Sequence, residues 1–166
     1  MTKIIVSILA FLLMIFPNSK YLIEAHQART NTPSIVAPQI IEAFKSKNIS
    51  ALEVLMCQNI KTNVSDLRTK IGEMMDAIDS EIIEATWTYR GGSYLEKRGD
   101  GKKISQQGFE IYLTTSTKVF TIPVWWETIN NFSPKEIGIR GIALRYPVEV
   151  VLYRIYATNG ISDWHD

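Results

Sequence analysis

The spacing of apolar residues changes once along the chain, near Ser80, and this change limits the fold more than any other feature. Before Ser80, apolar residues recur every three or four positions, which is the period of a helix that buries one face. After Ser80, apolar and polar residues alternate, which is the period of a half-buried strand. Helices followed by strands in this segregated order predict an α+β fold, in which helices pack on one face of an antiparallel sheet.

Three helices are predicted before the change. The first starts at Ile35 and ends in "KSKN", and the second is "ALEVLM", which Ser50 begins as a helix cap. The third starts after Asn63 or Ser65. Cys57 is the only cysteine, so an intrachain disulfide is excluded, and we expect this residue to be buried at the end of the second helix.

Four to five strands are predicted after the change, and together they form a curved sheet. The strand "EIIEATWTYR" meets Gly91 and Gly92, a pair that indicates a bulge or a sharp bend. The strands that follow are predicted in "ISQQGFEIYLTT", "TKVFTIPVWWETINN", "EIGIRGIALRY" and "VEVVLYRIY".

Residues 1–25 are predicted to be a signal peptide or a membrane anchor. Lys3 precedes "IIVSILAFLLMIF", an uncharged apolar run typical of an export signal. This run is shorter than the roughly 20 apolar residues of a spanning helix. Residues 26–34 are predicted to be a polar tether and residues 35–166 a single domain. We therefore expect an exported protein, extracellular or at the cell envelope, that meets the membrane only through its N-terminal segment.

The charge and the metal-ligating residues exclude several classes of function. The chain has 18 basic and 17 acidic residues, so no basic excess points to nucleic acid as a partner. With one cysteine and two histidines, the sequence contains no recognisable zinc site, and we expect neither a metal nor a cofactor. His26 lies in the predicted tether and His165 is the penultimate residue, so a histidine base is not expected.

The strand "TKVFTIPVWWETINN" should present two different faces. One face, predicted to meet the helices, carries Phe120, Ile122, Val124 and Trp126; the other carries Thr121, Pro123, Trp125 and Glu127. Because Pro123 has no N–H to donate, the strand is expected to have an edge or a bulge there. Trp125 is the large apolar residue of the mixed face, and we expect a tail, the last strand or another subunit to cover it.

No catalytic residue is predicted, and the candidate binding residues are mostly aromatic. They are Trp125, Trp126, Tyr112, Trp87, Arg140 and Glu127. Aromatic rings build apolar pockets that keep a polar group for orientation, and they also dominate protein interfaces. Core packing is the alternative for Trp87 and Trp126. A solvated sheet face is the alternative for Glu127, and a solvated rim is the alternative for Arg140.

Residues from about 36 to 147 also resemble a known family. The resemblance lies in "IIEAFKSKNISALEVLM", "VSDLRTKIGEMMDAID", "EIIEATW" and "IYLTTSTKVFTIPVWWETINNFSPKEIGIRGIALRY". These segments are similar to small exported bacterial proteins, often lipoproteins, known only as a domain of unknown function. The resemblance implies the nuclear-transport-factor-two-like, or cystatin-like, cone, in which a curved sheet wraps around helices. It implies no activity. A lipid anchor is not implied either, because no cysteine lies just after the apolar run.

Three hypotheses of function follow. The leading one is a non-catalytic exported domain that binds a small ligand or a protein partner at the cell envelope. The alternative is a small hydrolase or lyase that uses a carboxylate and a Tyr or Arg in the cone cavity, which requires a buried carboxylate of raised pKa. The third is a structural module that forms a homodimer through the sheet face and buries Trp125 only between two chains.

Overall fold

The structure is a computed structural model that describes the backbone of residues 19–97, 102–131, 133–147 and 150–156. Side chains are described for residues 32–92, 103–131, 133–147 and 150–156. Most of the predicted signal segment and the whole C-terminal tail, including His165, therefore lie outside the described residues.

Four helices, one more than predicted, precede the sheet in the part of the chain that the structure describes. They are α1 (Ser19–Lys45), α2 (Ile49–Leu55), α3 (Gln58–Asn63) and α4 (Leu67–Asp76). The unpredicted helix α3 has the sequence "QNIKTN", in which Ile60 is the single buried residue. Such a short segment shows no apolar period, so the sequence pattern could not reveal it.

Helix α1 begins earlier than predicted, and residues 26–34, predicted to be a polar tether, form part of it. Pro33 and Pro38 lie inside the helix, and each removes one backbone N–H from its hydrogen-bond ladder. Pro33 is buried, as are Val36 and Ile40 one and two turns later. Packing against the core thus outweighs the helix-breaking tendency of proline here. No helix of the described chain combines the length and the hydropathy that a membrane span requires.

The sheet contains five strands in chain order, each antiparallel to its neighbour, over the described residues. They are β1 (Ile82–Lys97), β2 (Lys102–Thr115), β3 (Val119–Asn130), β4 (Gly138–Arg145) and β5 (Val151–Tyr156), with a 3₁₀ turn at Pro134–Glu136. Helices followed by an open antiparallel sheet confirm the predicted α+β class. The edges of this sheet are β1 and β5.

One face of the sheet packs on the helices and forms the core. On it, Phe109, Ile111 and Leu113 of β2 lie opposite Val124, Ile122 and Phe120 of β3, and all six are almost completely buried. Helical residues such as Ile40, Leu52, Ile71 and Met74 cover them. Burial of each large apolar side chain contributes about 1.5–3 kcal/mol. The predicted inner face of β3 is therefore confirmed at Phe120, Ile122 and Val124.

Pro123 lies in a central strand, so the prediction of an edge or a bulge at this residue is wrong. It pairs with Glu110 of β2, and no register shift occurs there. On the other side, the pairs between β3 and β4 include Thr121 and Val124 and omit Pro123. The strand tolerates a residue without an N–H because the ladder to β4 is unpaired at this point.

The junction between α2 and α3 joins the helices to β4. The backbone N–H of Cys57 donates to the carbonyl of Ile139 over 3.0 Å, and the side chain of Cys57 is buried, as predicted. Burial raises the pKa of its thiol. Gly138 has φ +138°, and a Cβ there would lie 2.8 Å from the carbonyl oxygen of Leu55. Only glycine allows this close approach of two backbones.

Candidate functional site

A pocket of about 290 Å³ lies where β1 and β2 pair through glycines. Its lining residues are Arg90, Gly91, Gly92, Gln106, Gln107, Gly108 and Trp125. Gly91 lies directly opposite Gly108, next to a register shift between Tyr89 and Gly91. The pocket exists because two neighbouring strands both lack side chains at this position.

Trp125 forms the aromatic wall of the pocket. A Cβ on Gly108 would lie 3.6 Å from Cζ2 of Trp125, so the partly exposed indole lies over this glycine. On the other side Trp125 pairs with Gly141, whose missing side chain makes room for the ring of Tyr156 in β5. The last strand therefore flanks Trp125, and one side of the indole remains directed to the pocket.

A cluster of three hydrogen-bonded side chains adjoins the pocket at Arg90. Nε of Arg90 donates to Oε2 of Glu110 over 2.8 Å, and its Nη2 donates to the same oxygen and, over 2.8 Å, to the hydroxyl of Tyr112. The Tyr112 hydroxyl donates to Glu110 over 2.9 Å. Burial and the Glu110 charge raise the pKa of Tyr112, and the hydrogen bonds to Glu110 raise the pKa of Arg90. The remaining nitrogen of Arg90, Nη1, has no hydrogen bond to any described residue.

Two glutamines line the pocket, and the side chain of Gln107 lies on the buried face of β2 with Phe109 and Ile111. Nε2 of Gln106 donates to Oε2 of Glu127 over 3.1 Å, and no described residue binds its Oε1. Gln107 is 1% exposed, and neither Oε1 nor Nε2 has a hydrogen-bond partner. Buried polar atoms are nearly always paired, so an amide with both atoms unpaired is a marked exception.

A buried network lies behind Gln106 and is centred on Glu127, which is 1% exposed. The carboxylate accepts hydrogen bonds from Nδ2 of Asn130 (2.6 Å) and from Nη1 of Arg140 (3.0 Å), in addition to Gln106. Arg140 is also 4.0 Å from Glu136, which accepts a hydrogen bond from the backbone N–H of Asn59 in α3. The network thereby ties β2, β3 and β4 to a helix.

The alternative of a solvated sheet face for Glu127 is wrong, because the carboxylate is buried and bound by three side chains. Both of its oxygens are occupied by groups that the strands hold in place, and solvent does not reach them. Such an arrangement can orient Gln106 and fix the strands. It gives a ligand no direct access to Glu127.

Comparison with known families places residues 39–150 in the family described as "Domain of unknown function (DUF5104)". The chain belongs to the DUF5104 family. Among curated proteins, no match to the chain is found. All pocket residues, together with Glu127 and Arg140, lie within the matched segment of this DUF5104 protein. Membership confirms the predicted resemblance to an uncharacterised family.

The structure of this DUF5104 domain divides the predicted binding residues into three places. Trp125 lines the pocket, and Tyr112 binds the Arg90 side chain at its margin. Glu127 and Arg140 reach the pocket only through Gln106. Trp87 and Trp126 are partly buried and pack against the core, as their alternative interpretation expected.

The sequence analysis did not select Arg90, Gln106 or Gln107 for the site. A usable signal was present between the first two predicted strands, where "GDGK" is typical of a turn. Pairing residues outward from that turn brings Glu96 opposite Lys103 and, five residues further, Gly91 opposite Gly108. Glycines that face each other across a hairpin predict a gap in the sheet surface, which the analysis of single strands could not show.

Proposed function

We propose that this DUF5104 protein is an exported, non-catalytic domain that binds a small ligand in the pocket beside Trp125. The observation that carries this proposal is the pocket that Trp125 and Gln106 line together, in which Oε1 of Gln106 is bound by no described residue. A ligand group that donates to this oxygen would form a hydrogen bond worth about 0.5–1.5 kcal/mol. Apolar walls with a few convergent polar groups are typical of small-molecule sites.

The carboxylates near the pocket support binding over catalysis. A hydrolase or lyase needs a carboxylate that can reach its substrate and exchange a proton with it. Glu127 is enclosed by the side chains of its network, and Glu110 accepts hydrogen bonds from Arg90 and Tyr112. Neither carboxylate is placed as an accessible base in the described chain.

The sequence supports export and the cone fold as further parts of the proposal. The apolar run after Lys3 supports export to the cell envelope, and the family resemblance supports a nuclear-transport-factor-two-like cone. Fractionation of cells that express the full chain with a C-terminal tag tests the first part. We expect the tag in the exported or envelope fraction, and retention in the cytoplasm would contradict export.

Titration of the ¹⁵N-labelled full chain with small soluble compounds, followed by amide NMR, tests ligand binding. The compounds are neutral sugars, free amino acids and organic acids. We expect one class to shift the amides of residues 90–92 and 106–108 together with the indole N–H of Trp125. The control variant is Trp87→Phe, which removes an indole outside the pocket and should bind equally well.

If no compound shifts these signals while the protein is folded, the proposal of a small-ligand site is contradicted. The mass of the protein in solution tests the third hypothesis. A dimer that loses its association on Trp125→Ala would favour a homodimer through the sheet face instead.

A further inference from the structure

We infer that the ligand of this pocket is a neutral carbohydrate, whose sugar ring stacks on Trp125 and whose hydroxyl groups bind Gln106 and Arg90. This inference rests on the proposed function and specifies its ligand class. It is drawn from the charge, the shape and the hydrogen-bonding pattern of the pocket.

Among the residues whose side chains the structure describes, the charges at the pocket cancel, which favours a neutral ligand. The guanidinium of Arg90 is bound to the carboxylate of Glu110, so its positive charge is compensated at the pocket itself. Behind Gln106, the charge of Glu127 is paired in the same way with Arg140. The other lining groups are two amides, an indole and glycine backbone. An anion or a cation would find little net potential of the opposite sign here.

The wall and the floor of the pocket fit the apolar face of a sugar ring. The indole of Trp125 presents a π-surface with negative partial charge, and the C–H groups on one face of a pyranose carry a small positive charge. On the floor of the pocket, Gly91 leaves open space, because no atom lies within 4 Å of the position that a Cβ would occupy there. A volume of about 290 Å³ suits one ring, or the terminal ring of a longer glycan.

The free polar atoms of the pocket require a ligand that both donates and accepts hydrogen bonds. Nη1 of Arg90 can only donate. Oε1 of Gln106 can only accept, and its orientation is fixed because Nε2 of the same amide binds Glu127. Neighbouring hydroxyl groups of a sugar satisfy both kinds of group, whereas a carboxylate cannot donate to Gln106.

The test is binding of the full chain to free neutral monosaccharides, with glucose, galactose, mannose and N-acetylglucosamine as probes and glucuronic acid as the acidic counterpart. Affinity is measured by amide NMR titration. We expect at least one neutral sugar to shift residues 106–108 and to bind more tightly than glucuronic acid. Arg90→Leu should weaken its affinity about tenfold, because a hydrogen bond from a charged donor is lost, and Trp87→Phe should leave it unchanged. Trp125→Ala should abolish binding, and Trp125→Phe, with circular dichroism as a folding control, replaces it if the alanine variant does not fold.

The outcomes separate this inference from the proposed function. Binding of acidic compounds or amino acids alone at residues 106–108 overturns the carbohydrate inference and leaves the small-ligand site intact. A neutral sugar that shifts other residues, or that binds equally well to Arg90→Leu and to the Trp125 variant, also overturns it. If none of the compounds in either experiment shifts the pocket residues, the carbohydrate inference and the proposed small-ligand site are both wrong.

Discussion

Two Arg–Glu pairs lie on neighbouring strands, and their surroundings give them different roles. In the buried pair, the side chains of Arg140 and Glu127 are 11% and 1% exposed; in the outer pair, those of Arg90 and Glu110 are 52% and 12% exposed. The chemical groups are the same in both. The buried pair is enclosed by strands, a helix and two amide side chains, whereas the outer pair borders an open pocket.

This difference in exposure indicates which pair stabilises the fold and which pair a ligand can reach. Loss of one partner from a buried pair leaves an uncompensated charge away from water and typically costs about 3–5 kcal/mol. Exposed pairs contribute about 0–1 kcal/mol, and the outer pair is closer to this case because half of the Arg90 side chain is in contact with water. We therefore expect the buried pair to determine stability and the outer pair to affect binding.

The largest loss of stability is expected for Arg140→Leu. This change leaves Glu127 buried without its guanidinium, and we expect the free energy of unfolding to fall by about 3–5 kcal/mol. Urea unfolding followed by tryptophan fluorescence measures it. A loss below about 1 kcal/mol would remove the distinction between the two pairs.

A smaller loss is expected for Gly138→Ala, next to the buried pair. Gly138 pairs with Glu127 across the strands, and its φ of +138° strains any other residue by about 1–3 kcal/mol. The contact of the new Cβ with the Leu55 carbonyl adds to this cost. The control is Gly72→Ala in α4, where the nearest atom to a Cβ is 3.4 Å away and alanine should stabilise the helix by up to ~1 kcal/mol. Equal effects in urea unfolding would contradict this prediction.

Arg90→Leu is expected to change stability by less than about 1 kcal/mol. The affinity for a pocket ligand should fall nevertheless, because the Nη1 donor is lost. Urea unfolding and NMR titration of the same sample measure the two properties separately. A variant that unfolds as easily as Arg140→Leu would show that the outer pair is also structural.

The smallest expected effect is a change of stability with pH that is caused by the ionisation of Tyr112. Its pKa is raised in the folded protein above the value of about 10 expected for an unfolded chain. The folded state therefore holds the phenolic proton more tightly, and this contribution to stability is complete below the unfolded pKa and is lost as the pH rises through the folded pKa. Comparison of urea midpoints with Tyr112→Phe from neutral to alkaline pH checks the direction. A midpoint that falls equally in both proteins would assign the effect to other groups.

The sequence predicted the class of the fold and the inner face of β3 because both depend on local periodicity. The alternation of Phe120, Ile122 and Val124 was sufficient to predict their burial. Burial of Glu127 was not predictable in this way, since it depends on which elements pack around the strand. Register shifts next to Ser105 and Trp125 and the loop that carries Glu136 create its surroundings.

The sequence indicated one residue of the pocket and missed the others. Trp125 was selected because a large ring on a mixed face is unusual, and in the structure this residue lines the pocket. The floor required the pairing of β1 with β2, since Gly91 and Gly108 are distant in sequence and meet only across the hairpin. Gln107 has nothing in its local pattern that predicts an unpaired amide.

The most direct test of the account is the coupling free energy between Glu127 and Arg140, measured in a double-mutant cycle of Glu127→Gln, Arg140→Leu and both together. If the buried pair holds the fold, the double variant should recover much of the loss of Arg140→Leu, with a coupling above about 2 kcal/mol. Additive losses, with a coupling within about 0.5 kcal/mol of zero, would contradict the account.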